Sequence, residues 1–394
     1  MYKFLSLGHQ PVPDVFLTKE QLNEPEISYP LDVYFCENCC LVQLGYAVDP
    51  NILFKEYHYN TGTNESLKRN FKQLVDLLVK KFNLAKNDLA VDIGSNDGTL
   101  LEEYKQYGVK ILGVDPSSVA EIAIKKRIPT IKDFFGENLA GNIIRKHGKA
   151  KIITATNVFA HIREFGSFMK GVKNLLADNG IFVTESHYLL NMVKDMQYDS
   201  IYHEHLRYYS LKPLMKLFEE FGMQVFDAER ISTHGGSIRV YACHKNAYNI
   251  SKNVAELKKL EERGGLYRKE TFFDYEKKVF ENKLKLQEIL IDLKKKKKSI
   301  AGIGAPAKGN TLLNYCNITP DIMGFIAETS ALKIGKFTPG MHIPVADESR
   351  LFLEQPDYAL LLSWNLKDIL IPKIKQSGYK GKFIVPNPVP KIIQ

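Results

Sequence analysis

The densest set of residues able to do acid–base chemistry is Ile201-Tyr202-His203-Glu204-His205-Leu206-Arg207-Tyr208-Tyr209. Two histidines two positions apart with an acid between them fit a pair of metal ligands, or a general base with a carboxylate and a phenol to orient it. A surface loop whose histidines merely titrate is the third reading. His161, in Asn157-Val-Phe-Ala-His161, is a second candidate base. It follows a predicted strand whose C-terminal end would border the ligand crevice of a parallel sheet.

Two glycine-rich turns could hold ligands. Val91-Asp-Ile-Gly94-Ser95-Asn96-Asp97-Gly98-Thr99 lies between a buried strand and a helix, where glycine lets backbone approach a ligand closely. Asp115 ends the next strand about 20 residues later, where an acid accepts hydrogen bonds from ribose hydroxyls, so the ligand should carry an adenosine. Gly-x-x-x-Gly spacing gives no close path for a pyrophosphate, which favours S-adenosylmethionine over a nicotinamide dinucleotide; a purely structural turn is the other alternative. Asp133-Phe134-Phe135 could set an acid and an aromatic ring beside the adenine. The second turn, Gly302-Ile-Gly304-Ala305-Pro306-Ala307-Lys308-Gly309, contains Gly-x-Gly-x-x-Ala and opens a helix. Its amides and Lys308 make an anion site suited to phosphate. The rival is an NAD-binding half with Glu328 as ribose acid, against which stand Pro306 and a following series too short for a complete doubly wound set.

These residues need a scaffold, and 394 residues suggest two or three domains. Apolar spacing predicts a helix over 65–82, with Leu67, Phe71, Leu74, Leu77, Leu78 and Phe82 on its buried face. Short apolar runs at 88–93, 111–114, 129–131, 151–156 and 180–184 then alternate with helical stretches, which argues for a mainly parallel sheet covered on both faces. Runs 225–228 and 238–243 add two strands. A helical connection over 251–298, interrupted only by Gly264-Gly265, leads to a second α/β series. The net charge of +9 includes five lysines at 294–298, a run expected to face water at a helix end rather than bind nucleic acid. The odd count of five cysteines, with no apolar membrane span and no leader pattern, points to the reducing cytoplasm and to no membrane partner.

Several segments in register resemble one family: 91–101, 113–117, 157–162, 202–205, His234-Gly-Gly-Ser-Ile-Arg239, 302–314, Thr338-Pro-Gly-Met-His-Ile-Pro344 and Leu361-Leu-Ser-Trp364-Asn365. Across nearly its whole length the sequence resembles the S-adenosylmethionine-dependent C-methyltransferases of nucleotide-linked keto sugars, which include the C-3 methyltransferase of tetronitrose. The resemblance implies an α/β architecture in three parts: a small zinc-binding-type module (1–55), a class I, Rossmann-like methyltransferase domain (56–245) and a Rossmann-like C-terminal domain (246–394) that helps bind the nucleotide sugar.

It further implies His205 as the base that makes an enolate next to the sugar ketone, with Glu204, Tyr202 and His161 beside it. An adjacent carboxylate would fix the imidazole tautomer. The cofactor would meet Gly94, Ser95, Asn96, Asp97, Asp115, Pro116, Ser117, Asp133, Phe134 and Asn157. The sugar nucleotide would meet Tyr57 or Tyr59, Gly304, Lys308 and Asn310, while His234-Gly-Gly-Ser receives no role. The family's zinc sits on two Cys-x-x-Cys pairs, of which this chain has only Cys36 and Cys39. Truncation or loss of the metal is implied, with His9 and Cys40 as the available substitutes.

Overall fold

The computed structural model describes residues 1–54 and 60–394; Tyr57 and Tyr59 lie outside the described residues. The N-terminal module is an antiparallel sheet of β1 (Tyr2–Gln10), β2 (Tyr29–Phe35) and β3 (Val42–Leu44), completed by β9 (Arg207–Tyr208) from much later in the chain. Alternation in β2 buries Leu31, Val33 and Phe35 on one face. That face joins Phe272, Val279 and Leu286 of the helix Lys269–Lys295 and Leu312 of the C-terminal part in one apolar core. The module therefore shares its core with the last third of the chain.

The central sheet contains β4 (Leu89–Ile93), β5 (Lys110–Val114), β6 (Thr130–Ile131), β7 (Ala150–Thr156), β8 (Leu176–His187), β10 (Met223–Ile231) and β11 (Ser237–His244), in the order β10-β11-β8-β7-β4-β5-β6. The strands from β8 to β6 run parallel, and β11 is antiparallel to both its neighbours. Successive side chains of a strand face opposite ways. Leu89, Val91 and Ile93 accordingly enter one core and Ala90 the other, each covered by helices. One cover is the helix Glu65–Lys81, whose first amides bond to the Asn64 side chain, an N-cap that marks its start. Its face buries Leu67, Phe71, Leu74 and Leu78, while Leu77 is exposed. Strand order reverses between β4 and β7, so a crevice opens beyond their C-terminal ends.

The connecting segment forms two helices, Lys252–Arg263 and Lys269–Lys295, broken where the glycines predict, and Lys294 to Lys298 face water. The C-terminal sheet holds β12 (Ile300–Ile303), β13 (Ile326–Glu328), β14 (Val345–Asp347), β15 (Tyr358–Leu361), β16 (Lys382–Val385) and β17 (Lys391–Ile393), ordered β14-β13-β12-β15-β16-β17. All but β17 are parallel. Counted from its own first strand the order is 3-2-1-4-5-6, the strand order of a doubly wound sheet, with the last strand antiparallel and one crossover lacking a helix. The part holds more strands than the short series expected from sequence. Strands of three or four residues and a non-helical connection from β13 to β14 hid them from sequence periodicity.

Candidate active site

A cavity of about 1030 Å³ joins the C-terminal ends of the central sheet to those of the C-terminal sheet. At its first end the Gly94 turn follows β4. Gly94 has φ 73°, and a Cβ there would stand 2.2 Å from Val158 Cγ2, so only glycine lets the β4 and β7 turns approach each other. Asn96 and Asn157 also hold positive φ, at 52° and 57°.

Asp115 is buried and organises the turn. Its Oδ2 accepts from the Asn96 amide at 2.8 Å, and its Oδ1 accepts from the Ser117 amide at 2.9 Å and the Ser117 hydroxyl at 2.5 Å. A carboxylate oxygen takes about two hydrogen bonds, so Oδ2 has capacity for a ligand hydroxyl. Ser95 Oγ and Asn157 Oδ1 are buried with no partner among the described residues, and both residues line the cavity. Buried polar atoms without partners are uncommon and point to a bound group that satisfies them. Pro116, Asp133 and Phe134 line the same end, Phe134 about half exposed at 48%.

Asp97 stands behind the turn: its Oδ1 accepts from the Thr99 hydroxyl at 2.6 Å, Lys126 pairs with Oδ2 at 3.2 Å, and it is not part of the cavity wall. It locks the loop. Asp92 was missed; it lines the cavity, accepts from Thr154 Oγ1 at 2.5 Å, and burial pushes its carboxyl up to about 7. Its place one residue before Ile93-Gly94 was the available signal.

At the cavity's middle stand four imidazoles. Between ring centroids, His205 lies 4.0 Å from Tyr202, 4.8 Å from His187 and 5.2 Å from His161, and His187 lies 5.5 Å from His234. His161 also stacks on Phe54. Burial pulls His205 and His234 down to about 4, and His161 and His187 well below the ordinary value. All four are neutral at pH 7. His205 Nδ1 lies 2.9 Å from the Ser200 carbonyl, which can only accept, so Nδ1 carries the proton and Nε2 presents a lone pair.

A backbone carbonyl thus does what the carboxylate was expected to do. Among the described residues no hydrogen bond joins Glu204 to His205; burial and the charge of Asp14 push Glu204 up to about 8, so it is mainly a neutral acid facing the cavity. His203 faces away from the cavity, its Nε2 donating to the Tyr29 carbonyl at 3.2 Å, which parts the two histidines that could have shared a metal. His187 and His234 were not read from sequence as site residues, although the His234 segment stood out.

The second glycine turn lines the far end with Gly304 and Lys308. The Ala305 amide is engaged by Glu328 Oε2 at 2.7 Å, leaving the helix-start amides of Ala307 and Lys308 for an anion. The Lys308 ammonium bonds Asn365 Oδ1 and sits 5.1 Å over the Trp364 ring, and burial lowers its pKa. Trp364 Nε1 in turn donates to buried Asp199 at 2.6 Å. Asn310 is buried outside the cavity wall, donating to the Pro13 carbonyl.

In the N-terminal module Cys36 and Cys39 share a turn in which the Cys40 amide donates to the Cys36 carbonyl at 2.7 Å. No group of three or more metal-ligating side chains gathers among the described residues. Two thiols do not make the four-ligand site of structural zinc. His9 and Cys40 do not supply the missing positions.

Three family models match: "Methyltransferase domain" over residues 63–228, "C-methyltransferase C-terminal domain" over 232–388, and "Putative zinc binding domain" over 1–54. The chain is 34% identical over 392 residues to the C-methyltransferase NovU of Streptomyces niveus, covering 99% of this chain and 93% of that protein. It belongs to that family of C-methyltransferases. Its fold is that of a class I methyltransferase flanked by the N-terminal module and the C-terminal α/β part, and its cofactor is S-adenosylmethionine. Among solved structures, a methyltransferase from Clostridium acetobutylicum is 14% identical, covering 45% of this chain and 92% of that chain with a TM-score of 0.36. The magnesium protoporphyrin IX methyltransferase of Synechocystis with bound SAH is 16% identical, covering 50% and 92% with a TM-score of 0.36. No described helix is long and apolar enough to cross a membrane.

Proposed function

We propose that the chain methylates the carbon next to the ketone of a nucleotide-linked keto deoxysugar, at C-3 of a 4-keto sugar. The observation that carries this reading is the single cavity that joins the Gly94 turn, the free Nε2 of His205 and the Lys308 turn. Carbon is a poor nucleophile, so a proton α to the ketone leaves first, and His205 Nε2 takes it. S-adenosylmethionine, held by Gly94, Ser95, Asn96, Asp115, Pro116, Ser117, Asp133, Phe134 and Asn157, supplies an electrophilic methyl to the resulting carbanion. Tyr202 and His161 flank the base, and Glu204 donates a hydrogen bond toward the sugar. The Gly304 turn, with the amides of Ala307 and Lys308, seats the pyrophosphate. The domain limits 1–55, 56–245 and 246–394 divide the chain accordingly.

The test is incubation of the purified protein with the cofactor and a panel of nucleotide-linked 4-keto sugars, read by mass for one added methyl. Deuterium placed α to the ketone should wash out into water. Methyl gain without washout would favour transfer to oxygen or nitrogen, and no gain on any member would remove the reading.

A further inference from the structure

The proton that His205 removes leaves an electron pair that moves onto the ketone oxygen, and this oxygen needs a donor already in place. The segment Thr233–Gly235, which brings His234 to the cavity wall, carries an unusual backbone. His234 has φ 54°, and the next two residues, Gly235 and Gly236, have φ 84° and 115°, three positive values in succession. A histidine in the left-handed region costs conformational energy, and such residues persist only where the surroundings hold them. Here the Gln197 side chain donates to the Gly235 carbonyl at 2.8 Å, and the Tyr188 amide donates to the Gly236 carbonyl at 3.1 Å.

The strain aims a ring into the cavity. His234 lines the wall, and its Nε2 is buried with no hydrogen-bond partner among the described residues. It stands across His187 from the base, 5.5 Å from His187, which is itself 4.8 Å from His205. Lys308 lines the same wall, fixed by Asn365 and the Trp364 ring, and its charge acts on both His187 and His234. The nearby carboxylate of Asp199, held by Trp364 and Asn387, balances the ammonium.

We infer that His234, through Nε2–H, and Lys308, through its ammonium, form the site that receives the negative charge on the ketone oxygen while His205 takes the α-proton. This rests on the keto-sugar reading above. One C–H bond breaks, its proton goes to His205 Nε2, and its electron pair passes through the carbon–carbon bond to the oxygen held by His234 and Lys308. When carbon gains the methyl group, the pair returns and the ketone is restored. A neutral imidazole suits this role because it can donate one hydrogen bond without giving up a proton outright, and the lysine supplies the charge.

The test uses His234→Asn, which tolerates the left-handed backbone, and Lys308→Met, which keeps the length of the side chain. Circular dichroism and calorimetric cofactor affinity check that both fold. The readouts are deuterium washout from the substrate in the presence of S-adenosylhomocysteine, kcat for methyl transfer, and substrate affinity. The expected result is a fall of about 10² to 10³ in both washout rate and kcat for each variant, the size of losing one oxyanion donor, with substrate affinity changed less than threefold. A rise in KM with washout and kcat unchanged would make both residues ground-state binders and overturn the inference. Absence of washout and methylation in the wild-type protein would overturn the keto-sugar reading and this inference with it, a result distinct from washout that is normal in wild type and variants alike.

Discussion

Replacing His205 by Asn separates geometry from proton chemistry. The Asn amide nitrogen occupies the place of Nδ1 and can keep the bond to the Ser200 carbonyl, while nothing replaces Nε2. Burial holds the histidine at about 4 against an ordinary 6.5, so between those pH values the unfolded chain takes a proton that the folded protein refuses. The neutral imidazole's contribution to stability is therefore complete above 6.5 and is lost as the pH falls toward 4. A shift of that size corresponds to about 3 kcal/mol. Asparagine does not titrate, so acidification should destabilise the wild type more than the variant by up to about 3 kcal/mol. Urea unfolding of both proteins at steps from pH 7 to pH 4 measures it. Turnover of the variant at pH 7 should fall by about 10² to 10⁴ with cofactor affinity kept. Parallel stability curves would refute the neutral buried imidazole, and wild-type turnover in His205→Asn with loss in His161→Asn would move the base to His161.

Asp115→Asn turns one acceptor of the Asn96 amide into a donor and should weaken S-adenosylmethionine binding by about 1.5 to 3 kcal/mol by calorimetry; an unchanged affinity contradicts the placement. Arg239→Met leaves Glu185, wholly buried and paired with Arg239 at 2.6 Å, without its counter-charge. It should cost about 3 to 5 kcal/mol in chemical denaturation, and a loss under 1 kcal/mol would show that the pair is not buried in solution. The purified chain should contain well under one zinc per molecule by elemental analysis, because Cys36 and Cys39 lack companion ligands among the described residues; full stoichiometry would mean that ligands come from elsewhere.

Long-period signals were legible and contact-dependent ones were not. Apolar spacing found the helix Glu65–Lys81 and the connecting helices because burial of a stripe writes itself into sequence at a fixed interval. The same rule placed Leu77 inside, where it is 37% exposed, since a stripe's edge depends on what covers it. The β4 turn and Asp115 were legible because backbone strain and a strand end are local facts. The place of His187 was not, since it comes from β8 ending beside the His205 loop, and no spacing in sequence encodes that approach. Asn310 and Asp97 show why a ligand turn is hard to read residue by residue: polar side chains beside it also bond the turn itself or a neighbouring module.

The three parts of the chain are tied to one another by polar contacts, and of those that follow the Lys333–Asp14 pair has both partners on the cavity wall. Asp199 of the central part accepts from Trp364 and Asn387 of the C-terminal part; Asn310 of that part donates to Pro13. Lys333 pairs with Asp14 at 2.9 Å, and Glu26 accepts from the Gly340 amide and bonds His342 Nε2 at 3.0 Å. These ties have an electrostatic consequence. The surrounding walls bury His205 and Glu204 and half-bury His161, His187 and His234, and this loss of solvent is what lowers the imidazoles and raises the acid. An open cleft would hydrate the same side chains, return the histidines toward ordinary values and ionise Glu204. The N-terminal module takes part in this through Asp14, which lines the cavity, pairs with Lys333 at 2.9 Å and, together with burial, holds the Glu204 carboxyl above its ordinary range.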